Sequence, residues 1–371
     1  MTMRNEVKNA KRIVIKIGSS SLTDGGAGLD AAAVDRLVDV VANARKNSAE
    51  VLVVSSGAIA AGLAPLGLQS RPKDLSTQQA AASVGQGLLI HRYTESFARY
   101  GITASQVLLT TTDVVRRSHY SNAQRALFKL ISLGVVPVIN ENDTVGTSEI
   151  RFGDNDRLAA LVALLTQADL LVIVSDIDAL YDAPPSEASA KKISEVRDLN
   201  EIADIKLGGA GTGVGSGGMV TKIDAARIAT SAGTAMLLTN ANDLPKALAG
   251  EDFGTYFHAK SSKNSARALW LAHASSSSGK LTLDAGAVKA LIEKNVSLLP
   301  AGVVAVEGVF DAGDTVDLVD ASGRTIARGI VNFDSDEIPK MLGRSTKDLA
   351  AELGPEFERE LVHRDDLVIL N

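Results

Sequence analysis

Several short segments of the chain carry residues able to hold and move a phosphoryl group. Lys16 ends the apolar run RIVIKI and is followed at once by Gly18-Ser19-Ser20. A lysine in a buried strand is costly unless an anion meets it, so Lys16 reads as a phosphate contact beside a backbone that can approach closely at Gly18. The plain alternative is a strand-end lysine snorkelling to water. Ser55-Ser56-Gly57 closes the run EVLVVS ahead of the helix-like AIAAGLAPLG. That places hydroxyls and free N–H groups at a helix start, which suits either an anion site or an ordinary serine cap.

The run VVPVI leads into Asn140-Glu141-Asn142-Asp143-Thr144, and Gly153-Asp154-Asn155-Asp156 follows just before an apolar helical pattern. Asp154 alone is explained as a helix cap, but a cap does not explain both clusters. Amides and carboxylates together suit a zwitterion, whose ammonium needs acceptors and whose carboxylate needs donors. Ser175-Asp176 ends the run LLVIV and reads as a nucleotide-facing loop or a polar turn. Lastly, seven glycines stand among residues 208–218, ahead of Met219-Val220-Thr221-Lys222. Such a loop can wrap phosphates with backbone N–H groups, or can be a plain linker. Gly213, Gly215 and Gly218 match GxGxxG, but no strand precedes them, and there is no GxxxxGK[ST]. A dinucleotide fold and a P-loop are therefore excluded.

Two separated lysines, a glycine-rich loop and an Asp/Asn-rich pocket are what phosphoryl transfer needs, since that reaction depends on positioning and charge neutralisation. The chain has no cysteine, and its five histidines lie outside these segments. A carboxylate acceptor needs no general base, because a glutamate side chain, with a pKa of about 4.3, is already ionised at neutral pH.

These residues must be held at the ends of strands. Val/Ile/Leu runs recur at 12–17, 50–55, 102–110, 135–140, 170–175 and 235–240, without alternation. They suit strands buried on both faces. LDAAAVDRLVDVVANARK, DRLAALVALLTQA and TKIDAARIATSAG between them are helical in pattern. This alternation predicts an α/β sandwich with a mostly parallel sheet, whose ligands bind at the carboxyl ends of the strands. After Trp270 comes the Ser-rich LAHASSSSGK, then short strand-like stretches between Gly and Asp turns, which predict a small β-rich, barrel-like domain. The expected organisation is a catalytic domain over 1–270, a linker over 271–279 and the small domain over 280–371.

At 371 residues and 45% hydrophobic, the chain has material for two cores. No apolar run approaches the roughly 18–20 residues of a membrane span, and the amino-terminal stretch lacks the apolar core of a secretory signal. Without cysteine there are no disulfides or thiolate metal sites, so the chain reads as cytoplasmic. Its net charge is −6, and residues 280–371 carry 10 Lys+Arg against 17 Asp+Glu. That is opposite to a nucleic-acid footprint, so no nucleic-acid or membrane partner is expected.

The set KIGSS, VSSGAIAAG, PVINENDTVGT, GDNDRLAALVA and GSGGMVTK resembles the amino-acid kinase family. Within it, the set is similar to the branch that phosphorylates the γ-carboxylate of free L-glutamate, giving L-glutamyl 5-phosphate at the start of proline synthesis. Other kinases of this fold share the first lysine and the Gly-rich loop, but not NEND and GDND together. The likeness runs nearly end to end, and the tail, with SLLPAGVVAVEGVF and RGIVNFDSDEI, is similar to the PUA domain of many bacterial members. The resemblance implies a three-layer sandwich with a PUA-like barrel, ATP as substrate, and Mg²⁺ bridging phosphate oxygens without a dedicated protein cage. It implies that Lys16 and Lys222 bind the ATP phosphates and stabilise the transferring group, while Asp156 holds both lysines. Ser56, Asp143 and Asn155 would bind glutamate. Lys16, Ser175, Asp176 and the run Ser216, Gly217, Gly218, Met219, Val220, Thr221, Lys222 would line the ATP site. Proline as feedback inhibitor and a homodimer or homotetramer follow from the same resemblance. Ser175 departs from the Thr of some relatives but keeps the hydroxyl. The alternatives are a same-fold kinase for N-acetylglutamate or aspartate, and an RNA-binding PUA protein with a degenerate kinase domain.

Overall fold

The computed structural model describes residues 4–23, 28–110, 113–114, 117–145, 155–184, 187, 189–203, 205, 218–260, 277–294 and 296–370. The chain divides into two compact units, one of Met1–Val114 with Ser121–Lys263, the other of Val115–Tyr120 with Asn264–Asn371. In chain order the elements up to Phe257 are α1 (Arg4–Asn9), β1 (Arg12–Ile17), α2 (Ala31–Lys46), β2 (Glu50–Ser55), α3 (Ala58–Leu63), α4 (Leu75–Ala98), β3 (Ala104–Leu109) and α5 (Arg117–Ser132). They continue with β4 (Val136–Glu141), α6 (Asn155–Leu165), β5 (Leu170–Ser175), β6 (Leu180–Tyr181), β7 (Lys192–Ile193), β8 (Glu195–Val196), α7 (Met219–Ser231), β9 (Ala235–Asn240), α8 (Leu244–Leu248) and β10 (Thr255–Phe257).

The first unit is built on an eight-stranded sheet in the order β3-β4-β2-β1-β5-β9-β10-β8. Strands β1 to β5 and β9 run parallel, and β10 is antiparallel to β9. All six apolar runs read from the sequence are strands of this sheet. Ile13, Ile15 and Ile17 of β1 face one side, where Val34, Leu37, Val38 and Val41 of α2 and Leu89, Tyr93 and Phe97 of α4 cover them. Side chains alternate across a strand, so Val14 and Lys16 face the opposite side, against which α6 packs. Helices thus cover both faces, and the sandwich has three layers.

Register is pinned at the amino ends of the strands. Asp169, just before β5, accepts hydrogen bonds at Oδ2 from the N–H groups of Lys11 (2.8 Å) and Arg12 (2.9 Å). With β1 and β5 anchored there, Lys16 falls opposite Ile173 on one side and Val54 of β2 on the other. The carboxyl ends of β1, β2 and β5 therefore come level, and their loops open on one edge. Aspartates also fix the helix starts, Asp30 capping Ala32 and Ala33 of α2 and Asp74 capping Thr77 of α4.

Helices α3 and α4 approach unusually closely because glycines face each other's backbone. A Cβ on Gly85 would lie 1.8 Å from the Ala58 carbonyl oxygen, and one on Gly62 would lie 2.0 Å from that of Ala81. This contact draws α4 against the loop after β2.

The second unit contains β11 (Gly279–Leu283), α9 (Ala285–Lys294), β12 (Val303–Gly308), β13 (Thr315–Val319), β14 (Thr325–Val331), α10 (Thr346–Leu353) and β15 (Val362–Ile369). Its five-stranded sheet runs β12-β11-β13-β14-β15 and encloses a separate core of Leu281, Val303, Val316, Leu318, Ile326, Phe333, Leu349 and Val362, among others. The strands match the stretches read from sequence; α9, α10 and β15 do not appear in that reading. Of the expected Ser-rich linker, residues 271–276 lie outside the described residues. Ser277 and Ser278 are already bonded to β13, Ser277 Oγ accepting from Asp317 N and Ser278 N donating to Thr315 O.

The glycine contact makes a paired prediction. Gly85→Ala forces α3 and α4 apart and should destabilise the fold by roughly 1–3 kcal/mol or more. Gly87→Ala, on the same helix with nothing within 4 Å of its Cβ, should instead add about 0.5–1 kcal/mol. Urea midpoints of the two variants against the parent would measure both signs.

Candidate active site

Lys16 enters the site from β1, and Asp156 enters from the first turn of α6, on the face of the sheet that α6 covers. Lys222 stands in the first turn of α7, which packs beside α6. The Lys16 ammonium lies 2.6 Å from Asp156 Oδ1 and the Lys222 ammonium 3.2 Å from Asp156 Oδ2. Thr221 Oγ is 3.1 Å from the same Oδ2 and 2.8 Å from the Gly218 carbonyl, so its single proton is shared between the two acceptors. Asp156 is fully buried, and Lys16 and Lys222 are only 5% and 6% exposed. Burial by itself raises the Asp156 pKa, but the two ammonium groups outweigh it and hold the carboxyl below its usual range.

The meeting of charges decides what this cluster can do. Among the described residues, two cations converge on one anion in a nearly dry place. Electrostatic attraction there is much stronger than in water. Two ammonium groups held this way offer charge-assisted contacts to an anionic group arriving beside them. The snorkelling alternative for Lys16 does not hold, because its ammonium turns inward onto Asp156.

A second cluster lies one strand away. Asn155 Nδ2 donates to Ser56 Oγ (2.8 Å), to Asn140 Oδ1 (3.0 Å) and, more weakly, toward the Ser55 carbonyl (3.3 Å). Gly57 makes the turn after β2 with φ +104°, a conformation that favours glycine, and so lets Ser56 stand at the strand end before α3. Ser55 Oγ bonds the hydroxyl of Tyr93 of α4 at 3.0 Å, and burial pushes that phenol's pKa well up. Asn140, at the end of β4, donates from Nδ2 to Gln86 Oε1 at 2.8 Å. Neither Gln86 nor Tyr93 stands out in the sequence, because each sits inside a helical pattern with no motif around it.

The remaining expected residues are placed less closely. Asp143 stands in the turn after β4, half-buried. Ser175 and Asp176 follow β5, and Ser175 Oγ donates to Asp176 Oδ1 at 2.9 Å. Gly218 precedes α7, whose first turn contains Met219, Val220 and Thr221, with Val220 54% exposed. Ser216 and Gly217, with most of the Gly-rich loop, lie outside the described residues, as does Asp154.

Residues 11–240 match the amino acid kinase family, and residues 279–353 match the PUA domain. The chain is 60% identical to a glutamate 5-kinase of Streptomyces coelicolor, with 99% of each chain covered. It is 57% identical to a glutamate 5-kinase of Salinispora arenicola, covering 99% of this chain and 100% of that one. A glutamate 5-kinase of Bifidobacterium animalis is 48% identical over 99% of this chain and 98% of its own. Among solved structures, a carbamate kinase from Giardia lamblia bound to AMP-PNP superposes with a TM-score of 0.50. It covers 68% of this chain and 100% of its own, at 17% identity. That likeness concerns the fold.

The buried triad makes a prediction that separates charge from packing. Asp156→Asn removes the carboxylate that two buried ammonium groups share and should cost roughly 3–5 kcal/mol in denaturant unfolding. The Asp156 pKa is lowered on folding from 3.8. Its contribution is therefore complete above that value and is lost as pH falls through the folded pKa. The gap between parent and variant should be full at neutral pH and narrow only below about pH 4. A gap that widens on acidification would contradict the pairing.

Proposed function

The chain belongs to the amino acid kinase family and within it to the glutamate 5-kinases, and from that premise we propose that the pocket around Asp156 is where phosphate passes from ATP to glutamate. The reaction is ATP-dependent phosphorylation of the L-glutamate γ-carboxylate, which yields L-glutamyl 5-phosphate and ADP and opens proline biosynthesis. The observation that carries the assignment of the site is the convergence of the buried Lys16 and Lys222 ammonium groups on one buried carboxylate.

A carboxylate oxygen of glutamate attacks the γ-phosphorus, and the bond from that phosphorus to the oxygen bridging it to ADP breaks. Charge spreads over the moving phosphoryl group, and the two lysines stand ready to neutralise it, held by Asp156 so that little reorganisation is needed. Thr221 steadies the carboxylate that positions them. No base is required, because the acceptor is already ionised. Ser56, Asn155 and Asp143 bind the amino acid. Ser175, Asp176 and the run from Ser216 to Lys222 line the nucleotide.

Among the described residues, no three acidic or histidine side chains cluster closely enough to hold a metal ion, and Asp156 is committed to two ammonium groups. Mg²⁺, which the family resemblance implies, would be held mainly by the phosphate oxygens of ATP with few protein ligands, and would supply further charge neutralisation. Feedback inhibition by proline, assembly as a homodimer or homotetramer and a cytoplasmic location belong to the same proposal, carried over from the family resemblance. Among the described residues, no helix is long and apolar enough to cross a membrane.

Coupled measurement of ADP release tests the acceptor. Free glutamate should sustain turnover, whereas N-acetylglutamate and aspartate should not, and turnover with either of those in preference to glutamate would overturn the reading. The mechanism is tested by Lys16→Met, which keeps the aliphatic stem and deletes the charge. Removing one such transition-state donor should lower kcat by roughly 10²–10³, or about 2.7–4 kcal/mol, with a smaller change in glutamate KM. Lys16→Arg should also be impaired, because a planar fork does not replace a compact ammonium. Near-normal kcat in Lys16→Met would remove the two-lysine mechanism.

A further inference from the structure

The geometry points to Gln86 of α4 as a positioning residue that fixes which end of the Asn155 carboxamide faces the amino acid, and so favours a free ammonium group on the acceptor. This rests on the reading that Ser56 and Asn155 bind glutamate.

A carboxamide has two ends of nearly the same shape and opposite polarity, so its orientation must be set by its partners. Asn140 Oδ1 receives two donors, the N–H of Glu141 at 2.8 Å and Nδ2 of Asn155 at 3.0 Å. With the oxygen so placed, the Nδ2 of Asn140 points the other way. The side chain is only 2% exposed, so that nitrogen needs an acceptor within the protein. Gln86 Oε1 provides it at 2.8 Å.

The direction of donation then propagates toward the pocket. Asn155 Nδ2 gives its protons to Asn140 Oδ1 and Ser56 Oγ, and among the described residues no hydrogen bond reaches its Oδ1. That oxygen is left as an acceptor, which is what an ammonium requires. Ser56 Oγ accepts from Asn155, so its own O–H is left to donate, which is what a carboxylate requires. A reversed Asn155 would set an NH₂ group against the ammonium. An N-acylated glutamate has no ammonium to gain from the observed orientation, so the relay bears on the choice between the two acceptors.

Gln86 itself is held in place by the close approach of α3 and α4. Its neighbour Gly85 lies so near Ala58 that any side chain there would collide. The end of the relay therefore sits on a rigid part of the helix.

Steady-state ADP release by the full chain, with glutamate and ATP varied separately, tests this together with thermal midpoints. Gln86→Met keeps length and removes the acceptor. It should raise glutamate KM about tenfold, the scale of one hydrogen bond to a charged group, with ATP KM changed by less than about twofold and kcat changed less than glutamate KM. Gln86→Glu restores an acceptor at the same place and should return glutamate KM to within about threefold of the parent. An unchanged glutamate KM in Gln86→Met, an equal rise in both KM values, or a Gln86→Glu variant as impaired as Gln86→Met each overturns the inference. If Gln86→Met does not fold, Gln86→Ala takes its place, and the Gln86→Glu result decides by itself against the parent. A parent chain without glutamate-dependent turnover would instead overturn the substrate reading, a failure distinct from that of the relay.

Discussion

The site depends on one carboxylate held between two ammonium groups. Asp156 is fully enclosed, and a carboxylate so placed stays ionised only because Lys16 and Lys222 reach it from two different elements. Each lysine in turn is made more tolerable in the interior by Asp156. Desolvating three charges is expensive, and attraction within the cluster offsets only part of it. The arrangement is therefore better explained by what it prepares, two ammonium groups fixed together at the strand ends, than by stability. The mostly parallel sheet is the means of assembly, since it brings β1, α6 and α7 to one edge although they are far apart in the chain.

The amide network beside it solves a different problem. Phosphate is met by charge, whereas an amino acid is a zwitterion and must be met by donors and acceptors in the right places. Ser56, Asn155, Asn140 and Gln86 come from the end of β2 or just beyond it, from α6, from the end of β4 and from α4. Each amide in the series takes its orientation from the next. Backbone groups contribute at two points, Glu141 N–H and the Ser55 carbonyl. The result is polarity without net charge, next to a triad whose action comes from its charged groups.

The second unit has its own sheet and its own core and contributes none of the residues assigned to chemistry. Its acidic balance sets it apart from the basic surfaces that hold nucleic-acid backbones. Four of its strands were legible as short apolar stretches between Gly and Asp turns. Its two helices and its last strand were not, because they are short and their apolar positions make sense only against the completed core.

What the sequence by itself determined was the class of fold and the chemical inventory. Short unbroken Val/Ile/Leu runs alternating with helical patterns suit strands covered on both faces, and polar clusters directly after them then stand at strand ends. Lys16, Asp156, Lys222, Ser56 and Asn155 were therefore all nameable before any coordinates. Their pairing was not. Periodicity says that Lys16 faces opposite Ile15 and Ile17, but not that a carboxylate some 140 residues later meets it. Only the register of β1 against β5, set by Asp169, and the packing of α6 across them decide that. Gln86 and Tyr93 were invisible for a related reason. A glutamine and a tyrosine in a long helix look like surface and core, and they become part of the site only because two facing glycines bring α3 and α4 together. Local spacing fixes which residues are available at each strand end; distances across elements, and the direction in which each amide donates, exist only once the layers have packed.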